Sequence, residues 1–109
     1  TILFEAFAIS LSHIPLLSIG LNCALGASQL IPHIKRLSKT TPFHISVFPN
    51  AGLPNVFGEY DQSPEEMVVL MEQFLDQNLV NIVGGCCGTT PDHIRLIADV
   101  ASRAKPRFN

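Results

Sequence analysis

Two adjacent cysteines, Cys86 and Cys87, sit between glycines in the segment VNIVGGCCGTTPDHI (residues 80–94), and Cys23 is the third and last cysteine of the chain. Thiolates are soft ligands that suit Zn²⁺ and disfavour Mg²⁺ and Ca²⁺. Three of them on one zinc leave a fourth tetrahedral position open, the pattern of a catalytic site rather than a structural one. An odd cysteine count argues against a closed disulfide framework, and in a reducing compartment it points to metal or redox chemistry. A vicinal disulfide between Cys86 and Cys87 leaves Cys23 unexplained. The distance in sequence from Cys23 to the pair is not that of a zinc finger, and unreactive cysteines are among the most buried residues. Spacing alone therefore leaves a metal centre and buried inert thiols both open.

Asn50 is the next residue that could do chemistry. It ends an apolar segment, and its amide oxygen is a candidate for contact with a metal or substrate; the competing reading is a turn residue before Ala51-Gly52. Glu59, Tyr60 and Asp61 follow in a loop, where they contact a polar substrate or simply hydrate the chain. His13, His33, His44 and His93 read as surface or hydrogen-bonded supporting histidines. Met67 and Met71, four apart, read as core.

These residues need a scaffold that gathers them, and the pattern predicts one. Residues 3–13 place Phe4, Phe7 and Leu11 on one helical face. LLSIGLNC (16–23) is a short apolar strand. Residues 26–39 carry Leu30, Ile31, Ile34 and Leu37 at helical spacing, with Lys35, Arg36 and Lys39 near the negative end of the dipole. FHISVFPN (43–50) is a second strand. Ser63-Pro64-Glu65-Glu66 announces a helix through a capping box, with Met67, Leu70, Met71, Phe74 and Leu75 as its buried face. LVNIVGG (79–85) reads as a strand buried on both faces. Thr90-Pro91 opens the last helix, with Ile94, Ile97, Ala101 and Ala104 apolar, and the tail from Lys105 reads as frayed. The order α-βα-βα-βα predicts an α/β fold with parallel strands. Cys23, Cys86 and Cys87 then all fall at the C-terminal ends of strands, the edge that carries active sites in doubly wound sheets and in barrels. Neighbouring residues of a regular strand point to opposite faces, so Cys86 and Cys87 can face one centre only where the chain leaves strand geometry; Gly84, Gly85 and Gly88 supply that freedom.

Composition narrows the classes. The chain of 109 residues has a net charge of −2, with its seven Lys and Arg scattered, which excludes a nucleic-acid or anionic-membrane surface. No apolar run reaches the roughly 18–20 residues of a membrane span. At 47% hydrophobic and 15% charged, with mean hydropathy +0.31, it is apolar for its size. That balance, and a start without Met, suggest an internal piece of a longer polypeptide whose apolar surface is covered elsewhere. Such a piece is expected to be poorly soluble, because strands cut from a closed sheet expose an edge.

GLNCALG (20–26), PNAGLPNVFGEYD (49–61) and GGCCGTTPDHI (84–94), in this order, resemble the homocysteine S-methyltransferase domain, over about Glu5 to Ala104. GGCCGT marks the wider family, whose members also use betaine or S-methylmethionine as donor. The other two blocks resemble the cobalamin-dependent, methionine synthase branch. The resemblance implies that residues 1–109 are a C-terminal fragment of a homocysteine-binding (β/α)₈ barrel, comprising its last three βα units. It implies Zn²⁺ on Cys23, Cys86 and Cys87, with Asn50 near the metal. The activity implied is methyl transfer to the thiolate of homocysteine, giving methionine. The donor is methylcobalamin, carried by another module of a cytoplasmic enzyme. Partners are the rest of the barrel and the folate and cobalamin modules, and the fragment alone is expected to be inactive. The alternatives are a homocysteine S-methyltransferase that uses another donor, betaine or S-methylmethionine, and a non-catalytic zinc or thiol-redox α/β module.

Overall fold

The computed structural model describes residues 2–107, apart from the side chains of residues 2–5 and 23–25. Its elements are α1 (Ile2–Leu11), β1 (Ser18–Gly26), α2 (Ala27–Thr40), β2 (His44–Asn50), α3 (Pro64–Asp76), β3 (Ile82–Val83) and α4 (Pro91–Ala101). Local signals start the last two helices where the sequence puts them. The Ser63 hydroxyl accepts from the Glu66 N–H at 3.1 Å while the Glu66 carboxylate accepts from the Ser63 N–H at 3.0 Å, and Pro64 occupies the first turn. The backbone bond from Ser63, with its hydroxyl second, holds the Glu66 carboxyl below its usual range. Thr90 and His93 form the corresponding box at α4.

The strands form one parallel sheet in the order β1-β2-β3, as expected for consecutive βα units of a partial barrel. Ile45 and Val47 are fully buried and join a core with Leu30, Ile34 and Leu37 of α2, Met67, Met71, Phe74 and Leu75 of α3, and Ile97 of α4. They alternate along β2 with half-buried Ser46 and Phe48, so the sheet turns one face to the helices and the other outward. Leu70 is half-buried at the margin of the α3 face.

Three expectations need correction. β3 is two residues long, not seven: Leu79 and Val80 are buried, but as the approach to the strand rather than part of it. β3 is also not buried on both faces. It is an edge of this sheet, which leaves Ile82 39% exposed and, on α4, Ile94 43% exposed. The tail is not frayed as far as Arg107, the last described residue. Arg107 is buried, and its guanidinium donates to Ser38 Oγ at 3.1 Å and to the carbonyls of Ser38, Thr41 and Phe43 at 2.8, 2.5 and 2.7 Å. Its carbonyl accepts from Asn81 Nδ2 at 2.7 Å and its N–H donates to Val80 at 3.3 Å. Burial lowers the pKa of this guanidinium.

No helix among the described residues is long and apolar enough to cross a membrane. Leu17, Val56, Phe57 and Val69 are large apolar side chains that stand exposed.

Candidate functional site

Beyond β3 the chain stays alongside β2 and then breaks step with it. The Cys86 N–H donates to the Pro49 carbonyl at 2.9 Å, and the Cys87 N–H donates to Asn50 Oδ1 at 3.1 Å. In a regular strand, consecutive N–H groups point to opposite neighbours. Here both turn toward β2, so the thiol pair has left strand geometry, as two neighbouring side chains facing one centre would require. Both carbonyls are also engaged. Cys86 accepts from Thr89 N–H at 3.2 Å and Thr89 Oγ1 at 2.7 Å, and Cys87 accepts from the Ala51 N–H at 2.9 Å. The main chain of both cysteines is thus fixed on every side, and both residues are half-buried at the C-terminal edge of the sheet.

Gly88 makes the turn possible. Its φ is +80°, and a Cβ there would run into the side chain of Tyr60, with Ala51 Cβ at 3.3 Å. Gly88→Ala is therefore expected to cost about 2–3 kcal/mol from left-handed backbone and overpacking together, measured by urea unfolding, and to loosen the thiol turn. Gly84 serves a different purpose: a Cβ at that position would lie 2.6 Å from the Phe48 ring, so its absence lets the chain lie close against β2.

Cys23 lies within β1, which runs on to Gly26 instead of ending at residue 23. β1 pairs Asn22 with Phe48 and then Gly26 with Asn50. Four residues of β1 thus advance against two of β2, and the excess falls on the segment holding Cys23. That segment and Cys86 flank the tip of β2 from opposite sides, two strand spacings of about 4.8 Å apart. The side chain of Cys23 lies outside the described residues. Among the described residues no group of three His, Cys, Asp or Glu side chains gathers as a metal site.

Asn50 is 1% exposed, and its amide oxygen holds the Cys87 N–H. Of the loop residues, Glu59 and Asp61 are exposed, and Tyr60 is half-buried against the core and Gly88. His13 and His44 are exposed, and His33 is half-buried on α2, with burial holding its pKa down. His93 is 5% exposed, with Nδ1 accepting from the Thr90 N–H at 3.1 Å and Nε2 at 2.7 Å from the Gln62 carbonyl. A carbonyl only accepts, so Nε2 is the donor in that bond. The reading of His93 as a hydrogen-bonded supporting residue holds. Its partner across the loop is what local spacing does not reveal; Thr90-x-x-His93 has capping-box spacing, with His in the place of the usual Glu.

The donor set at this edge fits a soft metal ion. Two thiols stand on a main chain immobilised by five hydrogen bonds, beside the strand segment that carries the third. The family model described as homocysteine S-methyltransferase matches residues 3–101.

Proposed function

The chain belongs to the homocysteine S-methyltransferase family, and from that premise we propose that Cys23, Cys86 and Cys87 hold Zn²⁺ for methyl transfer to homocysteine. The observation that carries the reading is the pair of consecutive N–H groups turned to β2, which frees two neighbouring thiols from the alternation of a strand. When bound, zinc supplies Lewis-acid stabilisation of a thiolate, so that a substrate thiol with an ordinary pKa of about 8.5 is deprotonated at neutral pH.

The chain's own residues have separate tasks. Cys23, Cys86 and Cys87 supply electron-rich sulfur donors and leave one position for the substrate. Asn50 and Pro49 fix the Cys87 and Cys86 amides from the tip of β2. Thr89 fixes the Cys86 carbonyl from the start of α4. We also assign Asn50, whose amide oxygen accepts from the Cys87 N–H, the contact with the metal or the substrate. Methionine, the product, carries a neutral thioether that is only a weak acceptor, which favours its release.

The methyl donor we propose is methylcobalamin held by another module. Support comes from the GLNCALG and PNAGLPNVFGEYD blocks, the second of which forms the tip of β2 and the loop beside the thiols. The deciding experiment is zinc stoichiometry on the reduced full chain. One zinc per chain, lost in Cys23→Ser, is the expected result; a folded protein that binds no zinc overturns the reading. Transfer from methylcobalamin, but not from betaine or S-methylmethionine, is expected once the rest of the barrel and the cobalamin module are supplied.

A further inference from the structure

The hydrogen bonds around the thiol turn close into a ring. The Cys87 carbonyl accepts from Ala51 N–H at 2.9 Å, and the Ala51 carbonyl accepts from Gln62 N–H at 3.3 Å. The Gln62 carbonyl accepts from His93 Nε2 at 2.7 Å, and His93 Nδ1 accepts from Thr90 N–H at 3.1 Å. Thr90 follows Thr89, which returns to the Cys86 carbonyl through its N–H and hydroxyl. Residues 51–62, nearly all of the β2–α3 loop, thus join the thiol turn at two ends: Ala51 directly, and Gln62 through one imidazole. His93 is the one buried histidine among the described residues, and its two nitrogens have different jobs. Nδ1 caps α4, while Nε2 ties down the loop.

We propose that His93 is a positioning residue for the metal centre, acting through Nε2: by holding Gln62 it fixes the loop that in turn fixes the Cys87 carbonyl and packs Tyr60 over Gly88. The inference rests on the metal reading above for its affinity consequence, and on the hydrogen bonds alone for the tether. A helix cap by itself would account for Nδ1, and it would leave a buried Nε2–H needing any acceptor. What assigns the second role is the identity of that acceptor. It is a loop carbonyl 31 residues away, and the N–H of the same residue already bonds to the carbonyl next to the thiol turn.

The two roles separate by substitution. In His93→Asn the side-chain oxygen replaces Nδ1 and keeps the cap, but nothing reaches Gln62. In His93→Gln the side-chain amide N–H replaces the Nε2 donor toward Gln62, and its oxygen is free to serve the cap, because Gln is itself a capping-box residue at this position. The test uses the full chain, reduced and metal-free, titrated with Co²⁺ and followed by thiolate-to-cobalt absorption, together with hydrogen exchange at the Ala51 and Gln62 amides. His93→Asn is expected to keep native exchange in α4, to exchange faster at Ala51 and Gln62, and to bind Co²⁺ about tenfold more weakly, the low end for supporting partners of metal ligands. His93→Gln is expected to hold the native affinity and loop protection. His93→Ala loses both. If His93→Asn matches the native chain in affinity and loop exchange, the proposal is overturned. It is equally overturned if all three variants weaken in parallel with their loss of stability. A native chain with no thiolate–cobalt band would sink the metal reading and the affinity role, and the exchange pattern would still decide whether Nε2 is the tether.

Discussion

With the rest of the barrel and the cobalamin module present, Cys87→Ala is expected to abolish methyl transfer to homocysteine while leaving the fold as stable as before. The hydrogen bonds that shape this turn belong to the main chain, through the N–H and carbonyl of both cysteines. Truncating the side chain removes none of them, and alanine fits where the half-buried thiol stood. What is lost is one of the three proposed zinc ligands. Lewis-acid stabilisation of a developing or bound anion is worth several kcal/mol, so a fall of roughly a thousandfold or more in kcat/KM follows. The measurement is steady-state transfer alongside a urea melt. Stability and activity falling together would mean that the thiol is a packing residue and that the proposed chemistry lies elsewhere.

Arg107→Ala is expected to do the reverse and cost the fold dearly. An α-helix leaves its last carbonyls without partners, and at the end of α2 the guanidinium of Arg107 takes the Ser38 carbonyl, then those of Thr41 and Phe43 on the way into β2. A cation at that end also meets the negative pole of the helix. Arg107 is 3% exposed, so its removal strands buried carbonyls rather than handing them to water. Each such group costs about 1–3 kcal/mol when left unmade, and with three carbonyls relaxing in part the loss is about 3–5 kcal/mol. That is a large share of the ~5–15 kcal/mol that holds a domain together. Hydrogen exchange of the α2 and β2 amides reads it. Arg107→Lys is expected to recover less than half, because an ammonium cannot fork across several carbonyls. Full recovery by lysine would reduce the contribution to charge alone.

What the sequence discloses about this protein follows from how far apart the interacting residues lie. Ser63 and Glu66 are three residues apart, and their box is legible on sight. The helix faces and the parallel order are legible because their periods are local. Arg107 reads as part of a loose tail because its partners lie 64 to 69 residues away, and a lone Arg after Pro106 carries no local sign of them. β3 is overread for a related reason. A β-branched run records burial, and Leu79 and Val80 are buried, but nothing in LVNIVGG says which residues find a ladder partner. At the site, the need for Cys86 and Cys87 to leave strand geometry is legible from adjacency and glycines. The means is not: Asn50 and Pro49 hold the two amides from another strand. His93 is half legible, as a helix start, with its loop partner hidden by distance.

The unequal advance of β1 and β2 between Asn22↔Phe48 and Gly26↔Asn50 has a consequence in parity. The excess on β1 is four residues against two, an even number. Because strand side chains alternate with a period of two, an even excess returns the chain to the same inside–outside phase once the irregular segment is passed. Gly26 therefore enters α2 with its facing preserved, and Ala27, Leu30, Ile34 and Leu37 fall on the core. Deleting one residue between Asn22 and Gly26 would invert that phase and turn the buried face of α2 outward. Deleting two would restore it, and would straighten the segment that carries Cys23. Insertions and deletions in this stretch are thus tolerated by the helix only in pairs, and the pair already present is what gives the third thiol a backbone of its own beside the tip of β2.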